Sequence, residues 1–318
     1  MSKGISPEAN PPKNSVALIA GPTASGKSDL AVKLALALQD AGRKAVVINA
    51  DSAQVYADLR ILSARPSEED MAGVPHELFG EWDGAQPCSA ADWAAAAKER
   101  IARCHAEGAV PILVGGTGLY IGTLLDGISP IPAIDEAVRG DVRALDTASA
   151  YATLQVEDPE RAALLAPADS QRIARALEVV RSTGKPLAHW QQQKSGGIGD
   201  AITLAPLVLL PDREEVYARC DMRFEWMLDN GALEEVQALL DRRLDPDLPV
   251  MRAIGVPEVA GLLGGELTRE DSLEKGQQAT RNYAKRQFTW LRNQFPQEWP
   301  RQAPENVSLK PQFEILFL

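Results

Sequence analysis

The sequence predicts an α/β protein, a parallel sheet core flanked by helices and interrupted by an inserted helical subdomain. Three observations predict it. A glycine-rich run, GPTASGKS at Gly21–Ser28, lies between a strand-like and a helix-like segment. Around it, short apolar runs alternate with helical stretches in βαβ order. From about Ser129 to Ser195 the composition then changes to helical sequence that opens on prolines and closes on glycines.

The elements follow in chain order. MSKGISPEANPPKNS is polar, rich in Pro and Asn and without an apolar core, so residues 1–14 are expected as a flexible tail rather than a signal peptide. SVALIA suits a buried strand, and DLAVKLALALQDAG sets Leu30, Leu34, Ala35 and Leu38 on one helical face before Gly42. KAVVINAD reads as a second strand ending on Asp51, ADWAAAAKERIARCHAEG as a helix, and VPILVGGTG as a third strand. This order demands a parallel sheet. SPIPAIDEAV, SQRIARALEVVRSTGKP and QQKSGGIGD form the insert. ITLAPLVLLP returns as a strand of the core sheet, and the remainder is mainly helical to about Phe295. The expected division is therefore a P-loop NTPase-like core at 15–128 and 196–318, with the insert at 129–195. For the closing FEILFL, a terminal strand and a tail packed on the core both stand.

Composition limits the function classes. With 318 residues, 45% hydrophobic and 24% charged, the chain can bury a large core. No apolar run approaches a membrane span. Cys88, Cys104 and Cys220 are odd in number and outside any CxxC pair, which points to a reducing compartment, the cytoplasm, and away from structural zinc. His76, His105 and His189 are far apart and none pairs at ligand spacing. The net charge of −11 gives no global attraction to nucleic acid.

The candidate site starts at the glycine-rich loop. Its glycines let backbone amides turn inward, Lys27 adds a point charge, the next helix adds its positive end, and Ser28 can ligand Mg²⁺. Gly21, Thr23, Ala24, Ser25, Gly26, Lys27 and Ser28 are thus the phosphate-binding set. Ligands of an open parallel sheet bind beyond the carboxyl ends of its strands, so Asp51 should face the same crevice. A carboxylate beside a phosphate takes a proton, holds metal or hydrogen-bonds an acceptor; the alternative is an N-cap for the next turn. In VGGTG, Gly115 and Gly116 allow close backbone approach and Thr117 offers a hydroxyl. Local charge also defies the global sign. ATRNYAKRQFTWLRNQ holds four basic residues and no acidic one. On a helix Arg281, Lys285 and Arg292 fall within about 40°, beside an apolar stripe of Ala284, Phe288, Leu291 and Phe295. SQRIARALEV sets Arg172 and Arg175 one turn apart, beside Ile173, Leu177 and Val180. Tyr283 and Trp290 read as core packing before base stacking.

GPTASGKS, DSAQVY and VGGTGLYIGTLLDG, followed by SQRIARALEV, MRAIG and ATRNYAKRQFTWLR, together resemble the tRNA dimethylallyltransferase (tRNA isopentenyltransferase) family over about Val16 to Arg292. Two departures are visible: MRAIG continues as VPEV, and Cys88 stands in CSAADW, where an aromatic is common in each case. Both concern local packing. The resemblance implies a Mg²⁺-dependent transfer of a dimethylallyl group from dimethylallyl diphosphate to the exocyclic amine of the adenosine 3′ of the anticodon. The loop would then cradle the leaving group, with Asp51 as base, Thr23 near the bridging oxygen and Arg223 reaching the leaving group. It also implies contacts to the tRNA anticodon stem-loop from Asp51, Ser52, Ala53, Gln54, Gly116, Thr117, Gln171, Arg172, Arg175, Arg281, Lys285 and Arg286, in a monomeric enzyme away from membranes. The competing reading is a P-loop small-molecule or nucleoside kinase, which would turn over ATP. A third is a nucleotide-dependent RNA-binding switch, which would bind tRNA without modifying it.

Overall fold

The computed structural model describes residues 14–318. The expected tail lies, apart from Asn14, outside the described residues. The chain forms two compact units, one of residues up to Leu124 together with Gly199–Leu318, the other Leu125–Ile198.

The first unit is built on a six-stranded sheet. Its strands are β1 (Ser15–Ala20), β2 (Lys44–Asn49), β3 (His76–Glu77), β4 (Ala109–Gly115), β7 (Thr203–Leu209) and β8 (Arg301–Gln302), while β5 (Gly127–Ile128) and β6 (Ser195–Gly196) belong to the second unit. The order is β3-β2-β4-β1-β7-β8, and every pairing is parallel. β1 and β4 are buried along their whole length, which is why they read as unbroken apolar runs. The returning strand β7 lies beside β1, from Ser15 opposite Thr203 to Ala20 opposite Val208. The edge strands β3 and β8 have two residues each, too short to show any alternation.

One boundary differs from the expected one. β2 stops at Asn49, because the Asn49 side chain accepts the N–H of Asp51 at 2.8 Å and donates to the Asp51 carbonyl at 3.0 Å. An asparagine that bonds the backbone two residues on turns the chain out of the strand.

Helices α1 (Lys27–Asp40), α2 (Glu68–Met71), α3 (Ala90–Ala106) and α4 (Gly118–Asp126) follow the early strands. α1 buries Leu30, Leu34, Ala35 and Leu38 against the sheet, and α3 starts at a capping box in which Ser89 and Asp92 each take the other's backbone N–H. The second unit holds α5 (Glu136–Arg143), α6 (Thr147–Glu157), α7 (Pro159–Ala163), α8 (Ser170–Thr183) and α9 (Leu187–Gln191). It has its own core, centred on Val142, Leu154, Ile173, Ala176 and Leu177. Its Gly127–Ile128 and Ser195–Gly196 strands pair antiparallel.

The first unit is completed by α10 (Arg213–Asp229), α11 (Ala232–Asp241), α12 (Val256–Leu263), α13 (Arg269–Asn293) and α14 (Leu309–Gln312). Of the two readings of FEILFL, the packed tail is the one adopted: Phe313 and Leu316 are fully buried in the core with β1 and β7, in a short 3₁₀ turn. Trp290 packs edge-on to Phe295 and closes over Gly118, where a Cβ would come within 2.1 Å of the indole.

Candidate active site

The loop after β1 is shaped to present its amides. Ala24 (φ 58°) and Gly26 (φ 81°) both adopt left-handed backbone, which turns successive N–H groups to one side and forms an anion-binding nest at the start of α1. For alanine this conformation is strained, a cost typical of functional loops. Gly21 donates its N–H to the Gly115 carbonyl at 3.2 Å and so ties the loop to the end of β4. The Ser25 hydroxyl is buried and without a hydrogen-bond partner among the described residues.

Charge around the loop is mainly positive. Lys27 is buried, and its ammonium donates to the Pro22 carbonyl at 3.2 Å. Burial holds its pKa below the ordinary lysine value, partly opposed by the Asp51 carboxylate, while the neighbouring Arg223 lowers it further. Arg223, from α10, donates to the Thr23 hydroxyl, and burial lowers its pKa as well. Two desolvated cations thus share one carboxylate. Such an arrangement is costly until an anion arrives.

Asp51 combines both roles weighed for it. One carboxylate oxygen accepts the Ala53 N–H at 3.0 Å, as a cap does, and the other carries no hydrogen bond among the described residues. The loops after β2 and β4 are stitched together beside it. Thr117 Oγ1 accepts the Ser52 N–H at 2.9 Å and donates to Ser52 Oγ at 3.2 Å, and the Thr117 N–H reaches the Ala50 carbonyl at 3.2 Å. At Tyr283, burial, then Asp51, push the phenol pKa up, so the phenol stays neutral.

Several of these groups open on one cavity of about 330 Å³. Thr23, Asp51, Ser52, Ala53, Arg223 and Arg286 line it, with Tyr56, Cys88, Tyr120, Phe224 and Met227 forming much of its less polar wall. Cys88, one of the two departures from family sequence, donates its N–H to the Tyr56 hydroxyl oxygen and accepts from the Tyr120 hydroxyl, both at 3.1 Å. Tyr120 in turn stacks on Trp93 at 4.7 Å, and Trp93 donates to the Asn49 carbonyl at 2.8 Å. At the other departure, Val256 is buried behind Gly255.

The remaining expected residues are distributed differently. Gln54 turns its amide to the Ser63 and Ala64 carbonyls, at 3.0 and 2.9 Å. Gly116 packs against Gln287 and the Gly21 carbonyl. On α13, Arg281 is held by both oxygens of Asp221 at 2.6 and 2.7 Å, Lys285 is exposed, and Arg286 lies over the Tyr283 ring at 5.6 Å. Gln171, Arg172 and Arg175 are exposed on α8 of the second unit, where Arg172 pairs with Asp169 and Arg175 with the buried Glu178. Among the described residues no cluster of His, Cys, Asp and Glu suits a metal ion. Gln287 escaped the sequence reading, although a glutamine within the buried stripe Gly276, Thr280, Ala284, Phe288 and Leu291 was a signal in itself.

Comparison with known proteins gives the family. A family model described as IPP transferase matches residues 54–294. The chain belongs to the IPP transferase family. It is 65% identical to a tRNA dimethylallyltransferase of Erythrobacter litoralis (strain HTCC2594) over 314 residues, which cover 99% of each chain. Among solved IPP transferase structures, the tRNA isopentenylpyrophosphate transferase of Bacillus halodurans aligns with a TM-score of 0.67 and 31% identity, covering 96% of this chain and 95% of that one. A eukaryotic dimethylallyltransferase acting on tRNA aligns with a TM-score of 0.73 and 28% identity, covering 94% of this chain and 72% of the other.

Proposed function

We propose that this protein transfers a dimethylallyl group from dimethylallyl diphosphate to the exocyclic amine of the adenosine 3′ of the anticodon in tRNA, releasing diphosphate. The observation that carries the reading is that Arg223, hydrogen-bonded to Thr23, and the Asp51 carboxylate line one cavity, with the buried Lys27 of the glycine-rich loop coupled electrostatically to both charges. The names of the similar enzymes support the same activity and do not favour the kinase reading.

In this reaction the carbon–oxygen bond to the diphosphate breaks with its electron pair leaving on oxygen, a carbon–nitrogen bond forms to the amine, and one amine proton leaves. Lys27, Arg223 and the loop amides stabilise the negative charge that grows on the leaving oxygen. Thr23, already hydrogen-bonded to Arg223, stands at the bridging oxygen. Asp51 takes the proton, a role worth roughly 10²- to 10⁴-fold. The neutral phenols of Tyr56 and Tyr120 keep the reacting carbon away from water. The target base must leave its stack, at a cost of a few kcal/mol, so grips on the flanking RNA are needed. Arg172, Arg175, Lys285 and Arg286 are suited to that task.

The donor set fits a magnesium diphosphate: an unpartnered buried Ser25 hydroxyl, buried cations, and Ser28 half-buried in the first turn of α1. Ser28 would hold the Mg²⁺, which when bound neutralises charge on the leaving diphosphate. We assign the enzyme to the cytoplasm as a monomer. Among the described residues no helix is long and apolar enough to cross a membrane.

The test is to incubate the purified protein with Mg²⁺, unmodified tRNA and labelled dimethylallyl diphosphate, then to digest the RNA and weigh its nucleosides. A gain of one five-carbon unit on adenosine is expected. ATP turnover on an added hydroxyl substrate, without such transfer, would establish the kinase instead.

A further inference from the structure

Three consecutive backbone amides, those of Arg60, Ile61 and Leu62, converge on one carboxylate. Glu235, in the first turn of α11, accepts the Arg60 and Ile61 N–H groups on Oε2 at 2.6 and 2.7 Å and the Leu62 N–H on Oε1 at 2.9 Å. The three donors belong to a tight turn, closed by Ala64 N–H on the Ile61 carbonyl at 2.9 Å and Arg65 N–H on the Arg60 carbonyl at 3.0 Å. Successive amides of a turn form a nest for an anion, and bonds from N–H groups to an ionised acceptor are among the stronger ones. Here the anion comes from the protein itself, 173 to 175 residues further along the chain.

The far end of α11 grips the same segment. Arg242, just past the helix, pairs with Asp58 and with Asp83. Asp58 also accepts the Gly84 N–H at 2.8 Å. Just before α11, Gly231 approaches Ile61, with a Cβ-to-Cγ1 spacing of 3.7 Å were a side chain present. The segment 58–65 is therefore pinned along its length from outside the cavity.

What it carries faces inward. Leu59, Leu62 and Ser63 line the cavity, and the Ser63 and Ala64 carbonyls hold the amide of Gln54, three residues after Asp51. Neither the turn nor its carbonyls bring a cation to the cavity, so this wall is not built for the diphosphate.

We propose that Glu235 is a positioning residue: by holding the Arg60–Leu62 amides it sets the cavity wall of Leu59, Leu62 and Ser63, together with Gln54, against which the RNA acceptor seats. This rests on the transferase reading above.

The full-length protein is tested as wild type, Glu235→Gln and Glu235→Ala. Gln keeps one acceptor oxygen and Ala none, so effects should grow in that order. Hydrogen exchange at the Arg60, Ile61 and Leu62 amides is expected to quicken at least tenfold while exchange in β1 and β4 stays unchanged. In the transfer assay, KM for tRNA is expected to rise about tenfold, equivalent to about 1.4 kcal/mol, with kcat and the KM for dimethylallyl diphosphate within about twofold. Unchanged exchange at the three amides would overturn the holding role. Faster exchange with an unchanged KM for tRNA, or a fall confined to kcat, would overturn the positioning role. If Glu235→Ala does not fold, Glu235→Gln carries the test, with Arg242→Met to loosen the other anchor. A wild type that transfers nothing would refute the transferase reading, while the exchange data still report on Glu235 alone.

Discussion

Gln287 reaches from α13 to the glycine-rich loop, where its side-chain carbonyl accepts the backbone N–H of Thr23 at 2.8 Å. Its amide donates to the Gly116 carbonyl at 3.2 Å, so one buried side chain fixes the loop after β1 against the loop after β4. Replacing it with leucine leaves two buried backbone groups unpaired, at about 1–3 kcal/mol each. Gln287→Leu is expected to lower Tm by several degrees and to reduce kcat by misplacing Thr23. Gln287→Glu retains the acceptor for Thr23 and loses the donor to Gly116, so it should fall between. Thermal unfolding alongside steady-state transfer checks the order.

Asp51→Asn preserves shape and the acceptor for the Ala53 N–H while removing the base. The expected result is a fall in kcat of roughly 10²- to 10⁴-fold. Diphosphate affinity should change little or tighten, because the carboxylate's repulsion is gone. Unchanged turnover would remove Asp51 as the proton acceptor.

Lys27 gives the site a pH dependence. Its folded pKa lies below the unfolded value, so between the two the unfolded chain binds more protons and stability rises with pH. A bound diphosphate favours the charged ammonium. Its affinity should therefore fall as pH rises through the lowered Lys27 pKa, with proton uptake on binding in that window. Calorimetry of Mg²⁺-diphosphate binding in buffers of different ionisation enthalpy reads the proton directly. Lys27→Arg, charged throughout, should lose the uptake.

Gly115 and Gly122 form a contrasting pair. A Cβ at Gly115 would lie 2.1 Å from the Ala50 carbonyl oxygen, a backbone atom that cannot step aside without parting β4 from β2. Gly115→Ala is expected to lower Tm sharply or to prevent folding. At Gly122, within α4, the nearest atom would be Trp290 at 4.0 Å. Gly122→Ala should be neutral or stabilising by up to about 1 kcal/mol, since alanine is the better helix former. Thermal melts of both variants decide.

Arg172 is exposed on α8, in a protein whose net charge of −11 repels RNA overall. If it contacts a phosphate, Arg172→Ala should weaken tRNA binding most at low salt and reduce the slope of log affinity against log salt by roughly 0.7–0.9. A parallel shift, with the slope unchanged, would exclude a phosphate contact.

What the sequence by itself determined is local. The glycine-rich loop, α1, β2, α3 and β4 could be read in order, because burial on one face or two leaves a period within a dozen residues and Gly and Pro mark the ends. The place of Asp51 on the cavity was legible because chain order in a parallel sheet puts strand ends on one side. Asn49 ended β2 two residues early through a single side-chain bond, which periodicity does not register. The edge strands β3 and β8, at two residues each, carry no pattern at all. Tertiary structure alone decided the polar ties. Gln287 meets Thr23 across 264 residues, Arg223 meets the same threonine across 200, and Glu235 meets Arg60 across 175. Each satisfies backbone or charged groups that its own neighbours leave unpaired, and only the tertiary packing of α10, α11 and α13 brings the two halves of each tie within hydrogen-bonding distance.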